Sequence, residues 1–210
     1  MKVMAVAATK GGSCKSTLCA NLGVRAERDG PTVLVDYDPQ LSLCRWRELR
    51  TEEGGPSVIE GCGDGAVVDV RRLRGKADWV LLDIPPATQH LIRTGIKAAD
   101  LVLIPVKTSP LDLEAIDPVL ELCEEHRKPF AFVVAMFDPK WRLAAEVFPY
   151  LERKAPGRVL REVFSYRQAY VGSMIAGHTG PEYNADARQA RAARDEVDAL
   201  WAAIRKRLGA

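Results

Sequence analysis

Short apolar runs at 2–8, 31–36, 78–83, 101–106 and 130–136 punctuate the chain. Each is rich in Val, Leu and Ile, and none alternates strictly between apolar and polar positions. A strand with one wet face alternates, whereas an unbroken apolar run is buried on both faces, as in a parallel sheet covered by helices. Between these runs the sequence reads as helices at 15–29, 40–50, 65–74, 87–97, 111–127, 141–153 and 183–208. The last carries an apolar stripe, Val197, Leu200, Trp201 and Ile204, whose helical spacing lays one face on a core. Alternating strands and helices predict an α/β fold: a doubly wound, mainly parallel sheet with helices on both faces. In such sheets ligands bind beyond the carboxyl ends of the strands.

A length of 210 residues suits one domain, expected here over 1–210. The Gly- and Pro-containing segment 54–65 reads as turns around a short strand at 57–60, without a domain boundary. A net charge of +2 gives no overall pull toward a polyanion, so nucleic-acid binding would need a local basic patch. The cysteines, Cys14, Cys19, Cys44, Cys62 and Cys123, are odd in number and form no C-x-x-C pair. Reduced thiols in a cytoplasmic protein are therefore expected, rather than disulfides, zinc or an iron–sulfur cluster. No apolar run approaches bilayer length, and the N-terminus enters a strand without a signal-peptide pattern.

The densest chemistry lies at Thr9-Lys10-Gly11-Gly12-Ser13-Cys14-Lys15-Ser16-Thr17, directly after the first apolar run. A glycine-rich turn between strand and helix points several backbone N–H groups into one concavity, where phosphate oxygens can sit. Lys15 is placed to reach the outer phosphates and the Ser16 hydroxyl to join the shell of a Mg²⁺ ion. Two other strands end in carboxylates, at Asp36-Tyr37-Asp38-Pro39-Gln40 and at Asp83-Ile84-Pro85-Pro86. Such carboxylates can hold Mg²⁺ through water, and each can equally cap the helix that follows.

The loop departs from the strict G-x-x-x-x-G-K-[ST] phosphate-loop pattern, with Thr9 and Cys14 at the two outer glycine positions. With its early lysine, Lys10, it resembles the deviant Walker A motif K-G-G-x-G-K-[ST] of the ParA/MinD family of P-loop ATPases. The segments around Asp36 and Asp83 are similar to that family's D-x-D-P-Q switch and D-x-P-P Walker B strand. Arg167-Gln168-Ala169 through Ser173, followed by Gly177, is similar to its R-x-A…S…G closing segment. The resemblance runs from Val3 to about Leu208 and is nearest to short ParA-type partition or cargo-positioning ATPases.

It implies an ATPase that dimerises around ATP, with Lys10 crossing to the partner's nucleotide. Lys10, Lys15 and Asp38 would be catalytic, Asp38 orienting the attacking water, with Ser16, Asp36 and Asp83 supporting Mg²⁺. The nucleotide would lie on residues 10–17. Family members often read the adenine with an Asn after a late strand; here Phe137 could stack on the base or simply pack, and Asp138 could accept from the exocyclic amine or cap the helix at 141. The ATP-bound homodimer would bind DNA without sequence preference, placing the protein on the nucleoid. Arg188, with Arg161, Arg167, Arg191 and Arg194, are the candidate contacts, although the acidic residues between them also fit a solvated helix face. Turnover would be slow until stimulated by a ParB-like protein or cargo adaptor, and no membrane is expected. The alternatives are a MinD-type membrane-associated regulator and a metabolic or metal-handling ATPase of the same fold.

Cys14 is the departure with physical consequences. A side chain there would crowd the phosphates, and a positive φ would cost about 1 kcal/mol or more, so the loop either tolerates this small residue and binds ATP normally or loses binding or turnover. A thiol beside Lys15 and a helix N-terminus also raises the expectation of a lowered pKa and redox control.

Overall fold

The computed structural model describes residues 1–62, 67–86, 88–141 and 143–210. Its strands are β1 (Lys2–Val6), β2 (Thr32–Asp36), β3 (Ser57–Glu60), β4 (Trp79–Asp83), β5 (Leu101–Val106), β6 (Phe130–Phe137) and β7 (Val159–Ser165). The helices are α1 (Lys15–Glu27), α2 (Ser42–Leu49), α3 (Gln89–Ala98), α4 (Pro110–Glu114), α5 (Asp117–Glu125), α6 (Ala144–Lys154), α7 (Gln168–Ile175) and α8 (Ala187–Leu208). The strands form one sheet in the order β3-β2-β4-β1-β5-β6-β7, and every pairing is parallel. β2, β4 and β5 are buried along their whole length, the physical reason their sequences are apolar without alternation.

The sheet separates two core layers. On one side Val35, Leu82, Ile104 and Phe132 pack under α3, α5 and α6. On the other, Leu34, Leu81, Leu103 and Trp46 pack with α1, α2 and α8. The stripe on α8 is spent in this second layer, where Trp201 meets Trp79 edge-on at 4.8 Å and donates from Nε1 to Asp29 Oδ2 at 2.8 Å. Truncating such a side chain to alanine costs about 3–5 kcal/mol.

Several predicted boundaries move. The helix expected over 111–127 is two helices, α4 and α5, because Pro118 opens α5 in its first turn and cannot donate to a continuous ladder. Of the helix expected over 65–74, residues 65 and 66 lie outside the described residues; the rest holds only a 3₁₀ turn at Val70–Leu73. Positions 87 and 142 of two further predicted helices also lie outside them. The helix expected from 183 starts at Ala187, after a 3₁₀ turn at Gly180–Glu182, with the Asp186 carboxylate capping Arg188 and Gln189. β7 and α7 are elements that the periodicity did not reveal.

Candidate nucleotide site

The glycine-rich loop joins β1, in the middle of the sheet, to the N-terminus of α1. Gly12 has φ +70° and Cys14 has φ 64° and ψ 21°, so the loop uses the left-handed region twice, once with a residue that carries a Cβ. This is the strain expected for Cys14, and it turns the chain so that α1 starts with no side-chain cap. Among the described residues no acceptor takes the N–H of Lys15, Ser16 or Thr17; the first bond of the ladder is Leu18 N–H to the Cys14 carbonyl at 2.8 Å. These amides, with the helix dipole behind them, favour an anion.

Lys15 is buried, its Nζ donating to the Lys10 carbonyl at 3.3 Å and Ser13 Oγ at 3.4 Å. Burial lowers its pKa, while the Asp83 and Asp38 carboxylates oppose that shift. Lys10 sits on the outer rim with 41% of its side chain exposed. Its Nζ donates to the Leu111 carbonyl at 2.6 Å and lies 3.9 Å from Asp112. Burial pushes the Cys14 thiol above its ordinary pKa, outweighing the ammonium groups of Lys107 and Lys15. The direction is opposite to the lowered pKa expected for a thiol beside Lys15 and a helix N-terminus.

Asp36 and Asp83 end neighbouring strands and are direct partners in the β2–β4 register. Alternation aims both toward the α1 side of the sheet, since Leu34 and Leu81 two positions earlier lie in that layer. Asp36 is fully buried and accepts from the backbone N–H of Asp38 at 3.1 Å, Leu43 at 2.9 Å and Cys44 at 3.2 Å. Burial raises its pKa against those three donors. Asp83 is as deeply buried, but neither of its oxygens has a hydrogen-bond partner among the described residues. Desolvation pushes it up to about 7, with Asp36 adding to the shift and the Ser16 hydroxyl and Lys15 beside it opposing. Asp38, half-buried, accepts from the Gln40 N–H at 2.9 Å. Among the described residues no three His, Cys, Asp or Glu side chains cluster as a metal cage. A cation here would draw its remaining oxygens from hydroxyl, phosphate and water.

A phosphate loop, an orphaned buried carboxylate and an all-parallel sheet of this order make one nucleotide-binding face. Residues 4–178 match the family described as the CobQ/CobB/MinD/ParA nucleotide binding domain. The chain belongs to that family. It is an ATPase of the ParA/MinD type. It is 28% identical over 205 residues to the maintenance of carboxysome distribution protein A of Halothiobacillus neapolitanus, covering 94% of this chain and 93% of that protein. It is 30% identical over 241 residues to a probable plasmid-partitioning protein ParA of Thermus thermophilus, covering 90% of this chain and 74% of that one. Among solved structures it superposes on apo McdA of Cyanothece with a TM-score of 0.79 and 16% identity, over 97% of this chain and 99% of that one.

The structure brings the loop, Asp36, Asp38 and Asp83 together in this ParA/MinD-type chain. Phe137 packs against Phe148 at 6.1 Å as part of the core margin, and Asp138 closes a turn by accepting from the Lys140 N–H at 2.9 Å. The exposed aromatics of that region are instead Trp141 and Tyr166, with ring centroids 6.3 Å apart. Arg188, Arg191 and Arg194 lie exposed on α8. Arg161 pairs with Glu152 of α6, on the opposite face of the sheet from α8, so it does not extend their surface. Arg167 is tied to Glu196 of α8 at 2.6 Å.

Two features escaped sequence reasoning. Arg50, at the end of α2, forms a bidentate pair with Glu182 at 2.8 and 2.6 Å and also donates to the Gly177 carbonyl. Gly177, φ +73°, lets the closing segment lie on α2, because a Cβ there would meet the Arg50 backbone N at 2.4 Å. Lys107, the first residue past β5, sits over the phosphate loop, and a single lysine after an apolar run carried no motif to flag it.

Proposed function

We propose that this ParA-like ATPase couples ATP binding and hydrolysis to dimerisation and to sequence-independent DNA binding, and so distributes a cargo along the nucleoid. The observation that carries this reading is the place of Lys10: on the outer rim of the loop, held to its own subunit by one carbonyl and one distant carboxylate. An ammonium there is free to exchange those partners for the phosphates of a second copy facing it.

In the proposed cycle the unpaired amides of α1 and Lys15 bind the triphosphate. Asp83 and Ser16 would hold Mg²⁺, a role that fits a buried carboxylate with no backbone donor. When bound, that ion offsets charge on the phosphates. Asp36 fixes the start of α2, and through its bond to the Asp38 N–H it positions Asp38 to orient the attacking water. Closure of the dimer presents Arg188, Arg191 and Arg194 from both subunits to the DNA backbone. The apolar residues of α8 are buried in the core, which favours a DNA-facing role for this helix over a membrane-facing one. The full-length similarity to a carboxysome distribution protein and the similarity to a plasmid-partitioning ParA support either a protein assembly or a plasmid as cargo. An adaptor or ParB-like partner would stimulate turnover.

The test is DNA binding with ATP, ADP and no nucleotide across a salt series. Binding that requires ATP and weakens steeply with salt supports the reading. Indifference to DNA in all three conditions refutes it.

A further inference from the structure

Lys107 follows the last buried residue of β5, which pairs with β1 through Val6 and Leu103. The Ala7 N–H to Leu103 carbonyl bond, 3.0 Å, carries that alliance past the strand, so the β5 exit runs alongside the start of the phosphate loop. The Lys107 Nζ lies 3.7 Å from where a Cβ on Gly12 would stand. Lys107 shares a small cleft with Thr9, Lys10, Ser13 and Asp112. Its ammonium has no hydrogen-bond or ion-pair partner among the described residues. Asp112, the nearest carboxylate of the cleft, is already engaged by the Ser109 hydroxyl at 2.6 Å and by Lys10. Lys107 also acts on the Cys14 thiol more strongly than Lys15 does, which places its charge inside the loop's field.

An unpaired cation held against a phosphate cradle needs an anion. The cleft touches the first half of the loop, residues 9–13, whereas the open amides of α1 begin at residue 15. The Lys107 cleft and the open amides thus lie at opposite ends of the loop. We infer that Lys107 is a phosphate-binding residue of this site, acting within its own subunit on the outermost phosphate of a nucleoside triphosphate. It rests on the ATP-binding reading of the loop and deepens it. Lys10 is directed away, toward Leu111 and Asp112, so Lys107 supplies the second ammonium beside Lys15 before any partner arrives.

The experiment is equilibrium binding of fluorescent ATP and ADP analogues with Mg²⁺ to the full chain, its K107Q variant and its K107R variant, with thermal melting as a fold control. K107Q should weaken ATP about tenfold, the size of a lost charge-assisted hydrogen bond, and ADP only about twofold through the longer-range charge. K107R should recover most of the ATP affinity, and all three proteins should melt together. The ATP loss should recur in a K10A background, because no lysine crossing from a partner is involved. Unchanged ATP affinity in K107Q, equal losses for ATP and ADP, or a loss that vanishes in the K10A background would each overturn the inference. Failure of the unmodified chain to bind either nucleotide would overturn the underlying reading instead.

Discussion

The N-termini of α1 and α2 are built alike and finished differently. Each helix follows a strand that ends on the same edge of the sheet, and each starts from a left-handed residue, Cys14 at φ 64° and Leu41 at φ 50°. Neither has a side-chain cap of its own. In α2 the open amides of Leu43 and Cys44 are taken by Asp36 from within the protein. In α1 the amides stay open, and the carboxylate that stands in register with Asp36, Asp83, takes no backbone donor and has only the Ser16 hydroxyl and Lys15 beside it. One terminus is closed by the chain's own anion and the other is left open. The lesson is that a buried carboxylate after an apolar strand is assigned by what its oxygens already hold.

The largest expected effect tests the closed terminus. Asp36→Ala strands three buried amides and should cost about 3 kcal/mol in chemical denaturation. A loss below about 1 kcal/mol would mean that α2 does not depend on Asp36.

Asp83→Asn tests the other carboxylate. It should leave the nucleotide-free protein no less stable, because it removes a buried charge that lacks a partner. With ATP and Mg²⁺, turnover should fall about 100-fold if Asp83 is needed for the ion. The pH dependence follows from its raised pKa. Between the ordinary carboxylate pKa near 4 and about 7, the folded chain keeps a proton that the unfolded chain has released. Stability without nucleotide therefore falls as pH rises through that window and levels above it. Asp36, also raised, contributes in the same direction, so Asp83→Asn should flatten the slope without abolishing it. A wild-type protein that gains stability over this range would contradict the assignment.

The smallest effect concerns the left-handed start of α1. Cys14→Gly relieves the Cβ strain and should stabilise the chain by up to about 1 kcal/mol. Reductant should leave turnover unchanged, because burial raises the pKa of the thiol. A reductant-dependent rate in wild type that disappears in Cys14→Gly would restore the redox reading.

Much of the sheet was legible because its central strands are buried on both faces and read as plain apolar runs. β7 was not: Arg161-Glu162 interrupts its apolar residues, as suits an edge strand with one neighbour. α4 and α5 merged in the sequence because their residues share one helical character, and the break came from Pro118. At the site, the loop and three carboxylates were legible as a group, but their division of labour was not. The cap and metal readings of Asp36 and Asp83 differ by hydrogen bonds to residues 38–44, which spacing does not encode. Whether Phe137 stacks on a base or packs was open in the sequence. β6 carries a register irregularity between Ala135 and Phe137, with Met136 at φ 53°, and the ring packs on Phe148.

ATP is proposed to join two copies of this chain through Lys10. Light scattering of the unmodified protein with a saturating, unhydrolysed ATP analogue and Mg²⁺ tests it most directly. A dimer is expected with the analogue, a monomer with ADP, and a monomer for Lys10→Ala with either. A wild-type monomer at saturating analogue would contradict it.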